Sequence, residues 1–172
     1  GAGAAAGPGK DTRTIQDLLR SSWGISYGTD GDGERQYAAK ALGPAAGWGW
    51  YTADKDEPIC TTMERLASLP FVAQPGEAWV YGYNLDILGC VVERVSGIPL
   101  DEFLRTRITA PLGMNDTYFF LPAAKRAGFV RVYADAAEQF VRAPNGPPGQ
   151  GNYVAVPPNE YPGGAGRGAP AD

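Results

Sequence analysis

The stretch from Gln74 to Gly97 constrains the fold more than any other part of the chain. In it, a Pro75-Gly76 turn passes an aromatic run, Trp79, Tyr81 and Tyr83, straight into a patterned apolar segment. Proline presets φ at one turn position, and glycine accepts the positive φ that the next can require. Beyond the aromatic run, Leu85, Leu88 and Val92 recur at i, i+3 and i+7, with Ile87, Val91 and Val95 beside them. That spacing predicts an amphipathic helix with a broad apolar stripe. Asn84 is the predicted N-cap and Gly97 the predicted left-handed C-cap. Six aliphatic side chains, each contributing about 1.5–3 kcal/mol when buried, predict that this helix is a main anchor of the core.

Shorter elements flank it. Thr14 to Arg20 predicts a helix capped from Thr12 or Thr14, with Ile15, Leu18 and Leu19 facing inward. Ile59, Met63, Leu66 and Ala67 predict a second helix between Pro58 and Ser68, closed by Pro70, with Glu64 and Arg65 on its wet face. Past Gly97, Pro99 suits a first helical position, and Leu100, Phe103, Leu104 and Ile108 form another stripe. Thr117 to Leu121 and Phe129 to Tyr133 predict short strands, followed by a helix from Ala134 to Val141. Residues 1–11 form a flexible Gly/Ala segment, residues 12–142 a partial folded domain, and residues 143–172 a Pro/Gly-rich extended loop.

At 172 residues, with a net charge of −4 and a pI near 4.9, the chain suits one domain and neither nucleic acid nor an anionic membrane as a partner. No apolar run approaches the roughly 20 residues of a membrane span. Cys60 and Cys90 are too few for a disulfide framework or a zinc site, and are expected to be small buried thiols. Residues 28–33 form a loop without the distal glutamate of a calcium site, and no cofactor or metal is expected. Gly24-Ile25-Ser26-Tyr27-Gly28 has the form of a nucleophile elbow, yet a Ser-His-Asp triad needs a histidine and the chain contains none. Gly163-Gly164-Ala165-Gly166 makes a poor phosphate cradle, since no strand precedes it and no lysine follows.

Several motifs in order resemble the serine β-lactamase and penicillin-binding-protein superfamily, in detail the family VIII carboxylesterases, which are similar to class C β-lactamases. They are Pro75-Gly76-Glu77-x-Trp79-x-Tyr81, Leu85-Asp86-Ile87-Leu88-Gly89, Val91 to Gly97, and Pro111-Leu112-Gly113-Met114-x-Asp116-Thr117. Upstream, Leu18-Leu19-Arg20 followed by Gly24 resembles the family's Leu-Leu-x-His-Thr-Ser-Gly segment, with Ser21, Ser22 and Trp23 at the His-Thr-Ser positions. The resemblance implies an α/β (α+β) β-lactamase/transpeptidase-like fold, of which this chain would be mainly the helical portion with a few short strands. It also implies that Tyr81 is the catalytic tyrosine, a general base or part of a Tyr/Lys proton relay. Tyr83 stands at the third position of the family's Tyr-x-Asn motif, a departure that favours the esterase branch. Tyr83, Trp48, Trp50 and Tyr51 are the expected substrate-binding residues, the last three as a pocket wall.

The family's nucleophile is the serine of a Ser-x-x-Lys helix turn, where i, i+3 spacing sets the amine beside the hydroxyl. None of Ser21, Ser22, Ser26, Ser68 and Ser96 has lysine three residues on. A late Lys/His/Trp-x-Gly strand motif, which helps to build the family's oxyanion hole, is absent too. A phenol in water titrates near ~10, so a tyrosine base faces a handicap of roughly 4 kcal/mol at pH 7 unless cations stand beside it. In the family, the Ser-x-x-Lys lysine is one such cation.

The resulting expectation is an internal fragment of a serine hydrolase, inactive alone. The whole enzyme would be a carboxylesterase that cleaves short-chain esters through an acyl-enzyme. A β-lactamase or DD-peptidase, a non-catalytic binding homologue, and an esterase using Ser26 are the alternatives. Expected partners are a small-molecule ester or β-lactam substrate, and further copies of the chain through uncovered apolar surface. The expected setting is that of a soluble bacterial protein, cytoplasmic or periplasmic.

Overall fold

The computed structural model describes residues 12–29, 33–43, 57–119, 121–128, 133–136 and 139–142. Trp48, Trp50, Tyr51, most of residues 129–133 and the glycine run at 163–166 lie outside the described residues.

Helix α1, Ile15–Leu19, begins at Thr14, whose Oγ1 accepts from the Asp17 N–H at 3.3 Å while Asp17 Oδ2 accepts from the Thr14 N–H at 3.0 Å. This reciprocal capping box satisfies donors that a helix start leaves open. Only Leu18 of its three aliphatics is buried; Ile15 and Leu19 are exposed. Helix α2, Gly33–Ala38, places Tyr37 in the core and begins at the last residue of the expected 28–33 loop. Helix α3, Ile59–Leu66, follows the extended Pro58 and turns Ile59, Thr62, Met63 and Leu66 inward.

Helix α4, Asn84–Ser96, ends on Gly97 with φ +73°, a left-handed cap whose N–H donates to Glu93 O at 2.9 Å. Its start differs from the expectation. Tyr83 is the half-in residue and its carbonyl accepts from the Ile87 N–H at 3.0 Å, so Asn84 is already helical. The Asn84 amide instead donates back to Val80 O at 3.1 Å.

The expected apolar stripe of α4 is not what faces the core. Ile87 and Cys90 pack against the core cluster beside Tyr83. At about 100° per residue, Leu85 and Val92 lie on roughly the opposite side of the helix from Ile87, and Leu88 lies about a quarter turn from it. Leu88, Val91 and Val92 are half-buried, whereas Leu85 and Val95 are exposed. None of the six aliphatics is fully buried, which corrects the expectation that they anchor the core.

The two cysteines are a second correction, since Cys60 of α3 and Cys90 of α4 form a disulfide across Cα atoms 5.0 Å apart. The sequence separation of 30 conceals that the two helices pack together. Arg94 and Glu64, 2.8 Å apart, join the same helices on their wet side.

After the Ser96-Gly97-Ile98 break comes α5, Leu100–Leu104, with Pro99 as its cap rather than its first residue. Glu93 Oε1 reaches from α4 to accept the Leu100 N–H at 2.8 Å. A π-helical turn, Arg105–Thr109, continues α5, and a 3-10 helix spans Ala123–Gly128.

No strand forms over the described part of 117–121, where the Tyr118 hydroxyl donates to Asn115 O at 2.7 Å. The helix expected from Ala134 to Val141 is instead an antiparallel hairpin of β1, Tyr133–Ala136, and β2, Gln139–Arg142, with Tyr133 opposite Arg142. Its residues have too little apolar periodicity to bury one helical face, and β2 is exposed throughout. The core gathers Ile25, Tyr27 and Tyr37 with Ile59, Met63, Leu66 and Tyr83.

Candidate active site

Two chain segments build the site. The irregular segment from Ser21 to Tyr27 lies along residues 72–83, held by three backbone bonds. Val72 N–H donates to Gly24 O at 2.9 Å, Gly76 N–H to Ser22 O at 2.8 Å, and Val80 N–H to Ser21 O at 2.7 Å. The Pro75-Gly76 turn is thus fixed at both ends, with Gly76 at φ +77°. The segments approach closely at Gly24, where a Cβ would come within 2.0 Å of the Ala73 carbonyl oxygen, and at Gly82, where a Cβ would come within 2.2 Å of the Ile25 carbonyl oxygen. Only glycine permits that approach.

This contact divides the two tyrosines that flank it. Tyr81 stands on the open side, 69% exposed, its ring 5.2 Å from Tyr27 edge-on and 6.0 Å from a nearly parallel Trp79. Tyr83 has no exposed surface. Its hydroxyl accepts from the Gly43 N–H at 3.1 Å, and its ring lies 4.6 Å from Tyr27 and 6.4 Å from Tyr37. Tyr83 is therefore a core residue beneath the site. Sequence reasoning set it beside Tyr81 as a substrate contact because period and spacing do not reveal which side of Gly82 a ring takes.

Tyr81 borders an open pocket of about 470 Å³, walled by Trp79, Tyr27, Val72 and Val80. Ser26 and Thr29 add hydroxyls, and none of the described lining residues is charged. Ser26 is 2% exposed and its Oγ accepts from the Gly28 N–H at 3.0 Å. The Gly24 to Gly28 segment is no nucleophile elbow, because no helix follows Ser26 directly.

Trp79 and Tyr27 are site residues that the sequence reading did not assign. Trp79 sits inside the Pro-Gly-Glu-x-Trp-x-Tyr motif, which is the signal that could have found it. Tyr27 carries no local signal and arrives through the chain pairing.

The sequence matches the family model described as Beta-lactamase over residues 4–172. The chain belongs to the Beta-lactamase family. Esterase EstB of Burkholderia gladioli is 35% identical over 172 residues, covering 92% of this chain and 42% of EstB. Lovastatin esterase of Penicillium rubens is 36% identical over 108 residues, covering 62% of this chain and 24% of that enzyme. The chain thus spans less than half the length of these relatives.

Among solved structures, EstCE1, a hydrolase with promiscuous acyltransferase activity, superposes with a TM-score of 0.69 at 21% identity. The match covers 95% of this chain and 44% of EstCE1. The LovD6 mutant of simvastatin synthase from Aspergillus terreus gives a TM-score of 0.64 at 24% identity, covering 92% and 33%. Both likenesses are of fold, the β-lactamase/transpeptidase fold, represented here as a helical part with few strands. Serine hydrolases, esterases and acyltransferases make up this chain's family. No described helix is long and apolar enough to cross a membrane.

Proposed function

We propose that this β-lactamase-family chain supplies the tyrosine half of a carboxylesterase site. The observation that carries the reading is Tyr81, open to solvent at the edge of an uncharged aromatic pocket and held there by the Gly82 contact. The nucleophile is a serine of a Ser-x-x-Lys turn, which these 172 residues do not contain. Its Oγ attacks the ester carbonyl and passes its proton to Tyr81. The acyl C–O bond breaks, and Tyr81 delivers the proton to the departing alcohol oxygen. Water, deprotonated by the same tyrosine, then releases the short-chain acid. Uncharged walls favour a neutral ester over a β-lactam, which carries a carboxylate. The Cys60–Cys90 bond favours the oxidising periplasm over the cytoplasm.

The test is p-nitrophenyl butyrate hydrolysis with fluorophosphonate labelling. The chain alone is expected to show neither turnover nor added mass. Joined to a Ser-x-x-Lys segment it is expected to turn over, and Tyr81→Phe should lower kcat by about 10²–10⁴ with KM little changed. Labelling of Ser26 in the chain alone, full activity in Tyr81→Phe, or cephalosporin turnover faster than ester turnover would overturn the reading.

A further inference from the structure

We infer that Trp79 and Ser26 form a subsite for the alcohol half of the ester, selecting an uncharged, ring-bearing group. The inference rests on the reading of Tyr81 as the residue that protonates the leaving oxygen, since the pocket begins at that ring. Three observations define the ligand.

The first is shape. Trp79 leaves 70% of its surface exposed and lies nearly parallel to Tyr81, at 18° between planes, while Tyr27 closes one side with a ring edge. A flat face flanked by an edge suits a planar ring, by stacking on one wall and edge contact with another. The second is size. About 470 Å³ lies within the usual range of roughly 300–1,000 Å³ for small-molecule sites and exceeds what a methyl or ethyl group would fill.

The third is polarity. Ser26 is 2% exposed, and its hydroxyl oxygen already accepts from the Gly28 N–H. Its own proton remains to be donated to a neutral acceptor such as an ester or ether oxygen. It does not act as a nucleophile, because no basic side chain lines the pocket among the described residues and the chain has no histidine. An anionic ligand would find no cation to pair with among the described lining residues.

The experiment is a titration of the ¹⁵N-labelled chain with 2-naphthyl butyrate and with ethyl butyrate, following the indole N–H signals. Trp79→Phe identifies which signal belongs to Trp79. The naphthyl ester is expected to shift that signal saturably and to bind about ten-fold tighter than ethyl butyrate, the order that one aromatic contact supplies. Trp79→Ala should weaken naphthyl binding about ten-fold, Trp79→Phe should keep most of it, and Ser26→Ala should weaken it by roughly five-fold, as one neutral hydrogen bond does. A carboxylate on the naphthyl ring should weaken binding further.

Trp79 is mostly exposed, so both of its variants are expected to keep the parent far-UV circular dichroism. Equal affinity for the two esters, or an unchanged Kd in Trp79→Ala, would overturn the subsite. Turnover by the Ser-x-x-Lys-joined protein separates the two readings. Trp79-dependent binding without turnover would refute the esterase and leave the subsite. Turnover with an unchanged KM for naphthyl ester in Trp79→Ala would refute the subsite and leave the esterase.

Discussion

Helices α3 and α4 are bonded to one another, yet their apolar patterns meet different ends. In the eight-residue α3, Ile59, Met63 and Leu66 go into the core as their spacing predicts. In the thirteen-residue α4, the face toward the core carries Ile87 and Cys90 beside Tyr83, while Leu85 and Val95 remain 47% and 83% exposed. The lesson concerns what periodicity reports. An apolar row says that a helix has a side to cover, without naming what covers it. α3 has one apolar side, and the core cluster covers it. α4 has apolar residues on more than one side, and the described residues cover none of them fully.

Substitutions can break this contrast. Leu66→Ala, at a site 2% exposed, is expected to cost about 2–5 kcal/mol in urea unfolding, because a cavity adds to the lost burial. A cost below that of an exposed valine would show that the core was placed on the wrong side of α3. Removing the bond between the helices with Cys60→Ser and Cys90→Ser together should cost about 3–4 kcal/mol by loop entropy across a separation of 30. Thermal melts with and without dithiothreitol check this: the parent should fall to the variant's Tm under reductant, and equal parent melts would mean that the bond does not hold α3 to α4.

Smaller effects sharpen the account of α4. Gly97→Ala forces a side chain into φ +73° and is expected to cost about 1–2 kcal/mol, while Val95→Ala two residues earlier should change stability by no more than about 0.5 kcal/mol. A larger loss at Val95, read from the same urea curves, would mean that its outer face is covered in solution.

The smallest effect is set by pH at α1. The Thr14 hydroxyl and backbone N–H hold the Asp17 carboxyl below its ordinary value. A depressed carboxyl contributes stability that is present above its unfolded pKa and lost as pH falls through its folded value. Acid titration by circular dichroism should therefore show Asp17→Asn flatter than the parent at the acid end. Identical acid limbs would show that the capping box contributes nothing.

The local structure around the candidate site was legible because its signals are local. The Pro75-Gly76 turn, the Gly97 cap and Tyr81 at the head of α4 all follow from residue types that have few conformational alternatives. Tyr27, by contrast, lies more than fifty positions from Tyr81 and meets it only because backbone bonds pair Ser21–Gly24 with Val72–Val80. The β1–β2 hairpin was misread as a helix for a related reason. Ala134 and Ala136 favour a helix locally, yet pairing with Gln139 to Val141 satisfies their backbone groups instead.

The sequence by itself determined that a turn would present aromatics at the start of a helix, that a histidine triad was impossible, and that no Ser-x-x-Lys nucleophile lies within these 172 residues. Residue identity alone decides such things. Only the tertiary structure decided that Tyr81 opens to a pocket while Tyr83 is buried, that Cys60 bonds Cys90, and which side of α4 meets the core. Each of these depends on which distant backbone comes close, as at Gly82, where the Ile25 carbonyl leaves no room for a side chain.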